Sequence, residues 1–335
     1  MLINDSEYIE IIESVKAKIK QAQYQAAANV NRELILLYYH IGAIINDHKT
    51  WGNKFIENLA VDIKLDFPGT TGYSVRNLKY MAKLAETYPD EQFVQQAVAQ
   101  IPWGHNIVLM DKISDNEIRK WYIEQTIENG WSRNVLVHQI ESNLYGRQVL
   151  TDKVSNFANR LAAPQSELAV QTMKDPYIFD FIPFKEDMLE RDVEQALVRD
   201  MTKLLLELGT GFAFLGNQYH LNVGGEDFYI DLLFYNLNLR CYVVIELKTG
   251  EFKPEYAGKL NFYLSAVDGI LKKEQDNPSI GLLLCKSKND LVAEYSLKDM
   301  SKPIGVSEYR ITSSLPDELS KQLPSIEDIQ KRIIQ

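Results

Sequence analysis

The sequence predicts a two-domain α+β protein, with an all-α half over residues 1–160 followed by an α/β core over residues 175–335 built on a mixed sheet. Three observations carry this. Through the first half, apolar residues recur at the three-to-four spacing of helices. Beyond residue 175 they gather into runs rich in Val, Ile, Phe, Tyr and Leu, the signature of strands. Between the two the pattern loosens: Ala162-Ala163-Pro164-Gln165-Ser166 breaks a helix, and Asp175-Pro176 begins a turn. A chain of 335 residues has room for two domains of ordinary size, and 45% hydrophobic with 24% charged residues is the balance of a globular protein.

In the first half, helical periodicity covers 7–27 and then 29–47, where Leu34, Leu37, Tyr38, Ile41, Ile44 and Ile45 keep the spacing. A helix over 53–65 precedes the breaker Pro68-Gly69. Ser74 is a good cap for a helix from Val75 to about Tyr88, residues 115–129 form another, and Ser132 starts one reaching about Tyr145. Two of these starts look alike, Gly72-Tyr73-Ser74-Val75-Arg76-Asn77-Leu78 and Gly130-Trp131-Ser132-Arg133-Asn134-Val135-Leu136. Both resemble the entry to the recognition helix of a helix-turn-helix, where basic and amide side chains meet phosphates or base edges. Arg76, Asn77, Lys79 and Lys83 are the candidates on the first. The plainer reading is two capped helices with solvated polar faces.

In the second half the predicted order is helix, three strands, helix, strand, helix, strand. An amphipathic helix over 186–208 ends at Gly209 and Gly211. Strands follow over 212–223, 227–235 and 241–248, with Gly224-Gly225 turning the first hairpin. Pro254 opens a helix to about Val267. A strand over 279–286, a helix over 290–299 and a last strand over 304–311 complete the core.

Two of these strands carry charges that a sheet interior normally excludes. Tyr229-Ile230-Asp231-Leu232-Leu233-Phe234-Tyr235 holds one acid, and Val243-Val244-Ile245-Glu246-Leu247-Lys248 an acid and an amine. A buried carboxylate costs several kcal/mol unless it is paired or bound to metal. If residues 236–240 turn a hairpin about the midpoint between Asn238 and Leu239, Asp231 faces Glu246 across the ladder, and Lys248 shares their face. Two carboxylates and an ammonium on one wall are a candidate divalent-metal site, with a purely structural ion network as the alternative. Gln218, on the first strand, is a further polar candidate near it.

Charge and composition limit the classes. The net charge is −10, about −2 over residues 1–160 (17 basic, 19 acidic) and −8 over 161–335 (19 basic, 27 acidic). That counts against a global field for nucleic acid, so binding to phosphates depends on local patches, helped by any bound cation. No segment approaches the roughly 18 apolar residues that cross a bilayer, so no membrane partner is expected. The acidic N-terminus does not read as a signal peptide. Cys241 and Cys285 sit in apolar runs and read as buried thiols of a reducing compartment, hence a cytoplasmic protein. The five histidines show no paired metal spacing, and neither a phosphate-cradling Gly-x-x-x-x-Gly-Lys-Ser/Thr loop nor Gly-x-Ser-x-Gly occurs.

The strand order with Asp231 and Glu246-Leu247-Lys248 resembles the PD-(D/E)XK nuclease superfamily, whose core is restriction-endonuclease-like. More narrowly, the chain resembles the YhcG (DUF1016) family of nucleases over both halves. In the first half this rests on Trp51-Gly52, Phe67-Pro68-Gly69, Tyr73-Ser74 with Arg76-Asn77-Leu78, Pro102-Trp103-Gly104-His105-Asn106 and Gly130-Trp131-Ser132. In the second it rests on Phe212-Ala213-Phe214, Asp231-Leu232-Leu233-Phe234-Tyr235, Glu246-Leu247-Lys248 and Phe252-Lys253-Pro254-Glu255. The resemblance implies Mg²⁺- or Mn²⁺-dependent phosphodiester cleavage of DNA, with RNA not excluded and a homodimer or protein partners open. Asp231, Glu246 and the carbonyl of Leu247 would ligate the ion, and Lys248 would serve the attacking water or the phosphate. Glu194, on the helix before the sheet with Glu190 and Glu186, takes the place of the superfamily's further acid. Some RecB-like relatives carry Gln-x-x-x-Tyr after the E-x-K. Here that spacing gives Lys259 and Tyr263, so a lysine able to meet a phosphate replaces an amide. The competing expectation is a nuclease fold whose catalysis is dormant, serving nucleic-acid or protein binding within a mobile-element or defence assembly.

Overall fold

A computed structural model of the chain describes residues 6–48, 54–183 and 188–311. It falls into two compact units, Met1–Ile140 and Glu141–Gln335.

The first unit is helical throughout: α1 (Ser6–Asp47), α2 (Phe55–Asp66), α3 (Val75–Thr87), α4 (Glu91–Gln96), α5 (Trp103–Lys112), α6 (Asn116–Asn129) and α7 (Arg133–Glu141). The two helices expected over 7–27 and 29–47 are one, because nothing at residue 28 breaks the backbone pattern: Ala26-Ala27-Ala28 are strong helix formers. Helix α1 packs on α3, burying Ile35 and Tyr38 of the first and Leu78, Met81 and Leu84 of the second. The approach is close enough to demand a glycine, since a Cβ on Gly42 would lie 1.9 Å from the Met81 carbonyl oxygen. Ser74 caps α3 through the Asn77 N–H, and Asp115 caps α6, as their residue types predict.

In the second unit a short strand β1 (Val154–Ser155) and helices α8 (Phe157–Arg160) and α9 (Gln165–Thr172) precede β2 (Tyr177–Ile178). The expected helix over 186–208 is two, α10 (Glu190–Arg199) and α11 (Met201–Leu208), joined at Asp200, whose side chain leaves the helix pattern to cap the Lys203 N–H. Then come β3 (Phe212–Val223), β4 (Glu226–Asn236), β5 (Cys241–Glu251), α12 (Pro254–Ile270), β6 (Ile280–Ser287), α13 (Asp290–Leu297) and β7 (Ile304–Arg310), the predicted order. The sheet runs β1-β7-β6-β5-β4-β3, antiparallel from β3 to β5 and parallel from β5 to β7, with β2 alongside β7. One face packs on α10 and α11 through Val193, Leu197, Leu204 and Leu208, and the other on α12 and α13 through Leu260, Leu264 and Leu297.

The division at 140/141 differs from the expected boundary, which gave residues 1–160 to the helical half. Residues 141–160 belong with the sheet: β1 pairs with β7, and Asn156 is buried by bonds to the Leu297 and Lys302 carbonyls and the Ile304 N–H. Those partners lie some 140 residues away in sequence, so local periodicity holds no trace of them.

Candidate active site

The β4–β5 hairpin takes the register expected from its turn. Leu232 pairs with Ile245, Leu233 with Val244 and Asn236 with Cys241, which continues to Asp231 opposite Glu246. The ladder bonding stops there, and side chains take over. The Asp231 carboxylate accepts the Leu247 N–H at 2.9 Å, and the Asp231 N–H points at Glu246 Oε1 at 3.4 Å. Two acids thus meet where two strands part. Glu246 is 1% exposed, and burial together with the charge of Asp231 pushes its carboxyl up to about 7.

The lysine is beside them. Lys248 is buried; its Nζ donates to Glu190 Oε2 of α10 at 2.9 Å and to the Leu247 carbonyl at 2.8 Å, lies 3.9 Å from Glu246 Oε2, and stacks over Tyr256. From α12, Lys259 reaches Glu246 Oε2 at 2.9 Å and lies 5.0 Å above the ring of Tyr263. Lys259 is therefore a half-exposed counter-ion of Glu246, and Tyr263, 4% exposed, lies buried beneath its ammonium.

Glu194 is almost fully buried, and its two oxygens are held by the side-chain amides of Asn217 at 2.9 Å and Gln218 at 2.6 Å. The Gln218 amide also lies 3.5 Å from Asp231 Oδ1, so Glu194 is linked to the acid pair through a glutamine. Gln218 thus has its amide nitrogen committed to two carboxylates. Its φ of 44° is rare for a side-chain-bearing residue and follows the bulge between Phe214 and Gly216. Strain of this kind persists where surrounding contacts hold it, and here it holds an amide between acids. Among the described residues no three acids, histidines or cysteines gather closely enough to hold an ion together, and Glu194 stands one glutamine away from Asp231.

Sequence reading missed Asn217, the Lys248–Glu190 pair and Tyr256. The signal for the first was two adjacent amides inside a strand; for the others there was none, since both contacts cross between elements. Glu186 and Trp51-Gly52 lie outside the described residues.

Carboxylates outnumber ammoniums here: Asp231, Glu246 and Glu190 share Lys248 and Lys259, with Glu194 one glutamine away. The oxygens of Asp231 and Glu246, with the Leu247 carbonyl beside them, fit one hard divalent cation.

In the helical unit the expected groups separate. Arg76 and Lys79 are exposed and line an open pocket of about 610 Å³ with Val75, Tyr80, Lys83 and Asp111, where Lys83 pairs with Asp111 at 2.8 Å. Asn77 is not available: its amide donates to the Gly72 carbonyl and its oxygen accepts the Trp103 indole N–H at 2.7 Å. Its side chain ties the helix entry to α5. Of the histidines, His40 and His220 pair with Glu91 and Asp227, while His105 bonds the Trp131 carbonyl. Both cysteines are free and buried.

This sheet, with paired acids and a lysine on its central hairpin, places the protein among the PD-(D/E)XK nucleases, and residues 170–324 match the YhcG PDDEXK nuclease domain. Residues 14–147 match the DUF1016 N-terminal domain, and the chain belongs to the YhcG (DUF1016) family. It is 28% identical to "Putative nuclease YhcG" of Escherichia coli (strain K12), over 93% of this chain and 92% of that protein. Among solved structures it is similar to a repair endonuclease from Pyrococcus abyssi (17% identity, 38% of this chain, 49% of that one, TM-score 0.26). It is also similar to EndoMS in an EndoMS-dsDNA2 complex (16% identity, 40% and 49%, TM-score 0.27). In each case the match spans about half the length of the other chain.

Proposed function

We propose that this protein is a divalent-metal-dependent deoxyribonuclease, using Mg²⁺ or Mn²⁺. The observation that carries the reading is the Asp231–Glu246 pair, adjacent and short of positive charge, with Glu246 buried and Asp231 partly so. Asp231, Glu246 and the Leu247 carbonyl would hold the ion, which supplies Lewis acidity to the scissile phosphate and acidifies the attacking water. Lys248, held by Glu190 and the Leu247 carbonyl, presents an ammonium at the same wall, where it stabilises charge developing on the phosphate. Glu194 and Gln218 keep Asp231 in place. Arg76 and Lys79, on the first turns of α3, offer a local basic patch for the DNA backbone despite the acidic chain.

One observation favours the dormant alternative: Lys259 already occupies an oxygen of Glu246. A cleavage panel decides between them. Full-length protein is incubated at low salt with single-stranded, duplex and branched DNA and with RNA, in Mg²⁺, Mn²⁺ or chelator. Metal-dependent cutting of DNA, lost in Asp231→Ala and Lys248→Ala while DNA binding persists, is the expected result. No cutting of any substrate by wild type with either ion overturns the proposal in favour of a dormant scaffold. Cutting of RNA alone moves the substrate class.

A further inference from the structure

Helix α1 carries two apolar faces. At 100° per residue, buried Ile35, Tyr38 and Ile45 point one way, into the packing against α3. Ile11, Val15, Ile19, Val30, Leu37 and Ile44 fall within an arc of about 100° on nearly the opposite side. Each of these six is between 45% and 70% exposed. Ala22, Ala26 and Ile41 continue it, with exposed Glu33 and His40 as polar positions in the same arc, so the stripe spans 34 residues, from 11 to 44, roughly 50 Å. A surface helix ordinarily turns charges to water on the side away from its core. Moreover, among the described side chains from Tyr8 to Val30 none is buried. A helix segment of that length without tertiary packing is marginal in water, and a partner along its apolar stripe supplies what the fold does not.

We propose that the stripe pairs with the same stripe of a second copy, in an antiparallel two-fold dimer centred on Ala26. The sequence is self-complementary about that point. Turned end for end, Val15 meets Leu37, Ala22 meets Val30, Ile11 meets Ile41 and Tyr8 meets Ile44, while Ala26 meets itself. Alanine on the axis lets the backbones approach. One pair is not apolar: Ile19 meets Glu33, whose carboxylate has Lys18 of the second copy one residue further along as its opposite charge. Counting Glu33, the stripe positions from 11 to 44 average about 3.7 residues apart, which suits two nearly straight helices because it stays close to the helix's own period. The area is adequate: at on the order of 60–120 Å² per aliphatic side chain, the six half-exposed ones bring about 200–400 Å² per copy. Tyr8, Leu34 and the alanines raise this toward the roughly 450–500 Å² of apolar surface in a standard interface patch. A closed two-fold pairing also satisfies both copies at once, which a head-to-tail contact does not.

The inference is independent of the nuclease reading and is tested without activity. Sedimentation of the full-length protein is expected to show a dimer at micromolar concentration. The double variant Val15→Glu/Ile19→Glu, placed where nothing in the fold packs, is expected to weaken it by about 30-fold or more with an unchanged unfolding transition for the second unit. Register is read by disulfide formation, undisturbed by Cys241 and Cys285, whose burial pushes both thiols up to about 12. Ala26→Cys is expected to cross-link to itself. A mixture of Val15→Cys and Leu37→Cys copies is expected to cross-link to each other, with Val15→Cys alone inert. A monomer at all concentrations, a dimer indifferent to the two glutamates, or self-cross-linking at Val15 overturns the proposal.

Discussion

Glu207 and Glu246 are both acids buried to within a few per cent in the sheet unit, and their surroundings differ in kind. Glu207, on α11, is held by the buried guanidinium of Arg147, accepts the Ile178 N–H at 2.8 Å, and has the buried Lys174 ammonium 3.9 Å away. Positive charge exceeds negative there, and every group is enclosed. Glu246 sits against another acid, and its cations are a Lys259 that is nearly half exposed and a Lys248 shared with Glu190 and a carbonyl. Burial and Asp231 together raise its carboxyl to about 7. The first arrangement is what stability asks for. The second is a local conflict, and such conflicts persist where an arrangement serves chemistry.

The comparison is broken most forcefully by removing each acid in turn. Asp231→Ala and Glu246→Ala are expected to lower cleavage by at least ~10³-fold, the scale of losing a group that acts in the transition state, with the thermal midpoint barely changed. Glu207→Ala is expected to do the reverse. It strands a buried arginine and costs about 3–5 kcal/mol of stability, while activity per folded molecule holds. Equal loss of stability in both sets, read by denaturant titration beside the cleavage rates, would remove the distinction.

A milder change sharpens it. Asp231→Asn can keep an oxygen for the Leu247 N–H while relieving the repulsion on Glu246, and is expected to raise stability by about 1 kcal/mol as cleavage falls. Lys259→Gln removes the counter-ion on Glu246. Tighter Mg²⁺ uptake by calorimetry, by about tenfold (near 1.4 kcal/mol), is the expected outcome, because the ion no longer displaces an ammonium. Unchanged or weaker uptake means that Lys259 does not compete at this site.

How far these features could be read from the chain depends on how local their causes are. The β4–β5 register was legible because a short turn fixes it, and one residue of slip would have sent Asp231 and Glu246 to opposite walls. The strand order was legible from periodicity and turn residues. The amide clamp of Asn217 and Gln218 on Glu194 was not, since it needs a bulge and a left-handed residue that no propensity announces. Nor was the Arg147–Glu207 pair, whose members lie 60 residues apart. Asn77 shows the opposite failure: a residue of the right type at a helix start proved to be a structural lock.

A last expected effect concerns two lysines that burial disfavours as charged groups. Burial lowers Lys153 to about 8 against an ordinary 10.5, while its Nζ donates to the Gln148 and Val170 carbonyls. Below pH 8 both folded and unfolded chains hold the proton, and the cost of enclosing the charge is fully present. Between pH 8 and 10.5 the unfolded chain binds more protons, so this group makes stability rise with pH until the cost is gone. Allowing for partial solvent screening, the rise is about 1–2 kcal/mol. Burial lowers Lys174 to about 8 as well, and it contributes in the same direction. Thermal midpoints of wild type and Lys153→Met between pH 7.5 and 10 isolate the first contribution, because every other titrating group is common to both proteins. The variant starts lower, having left two carbonyls without their donor, and its curve climbs less. Parallel curves would mean that Lys153 is solvated in the folded state, and that its bonds to the Gln148 and Val170 carbonyls do not enclose it.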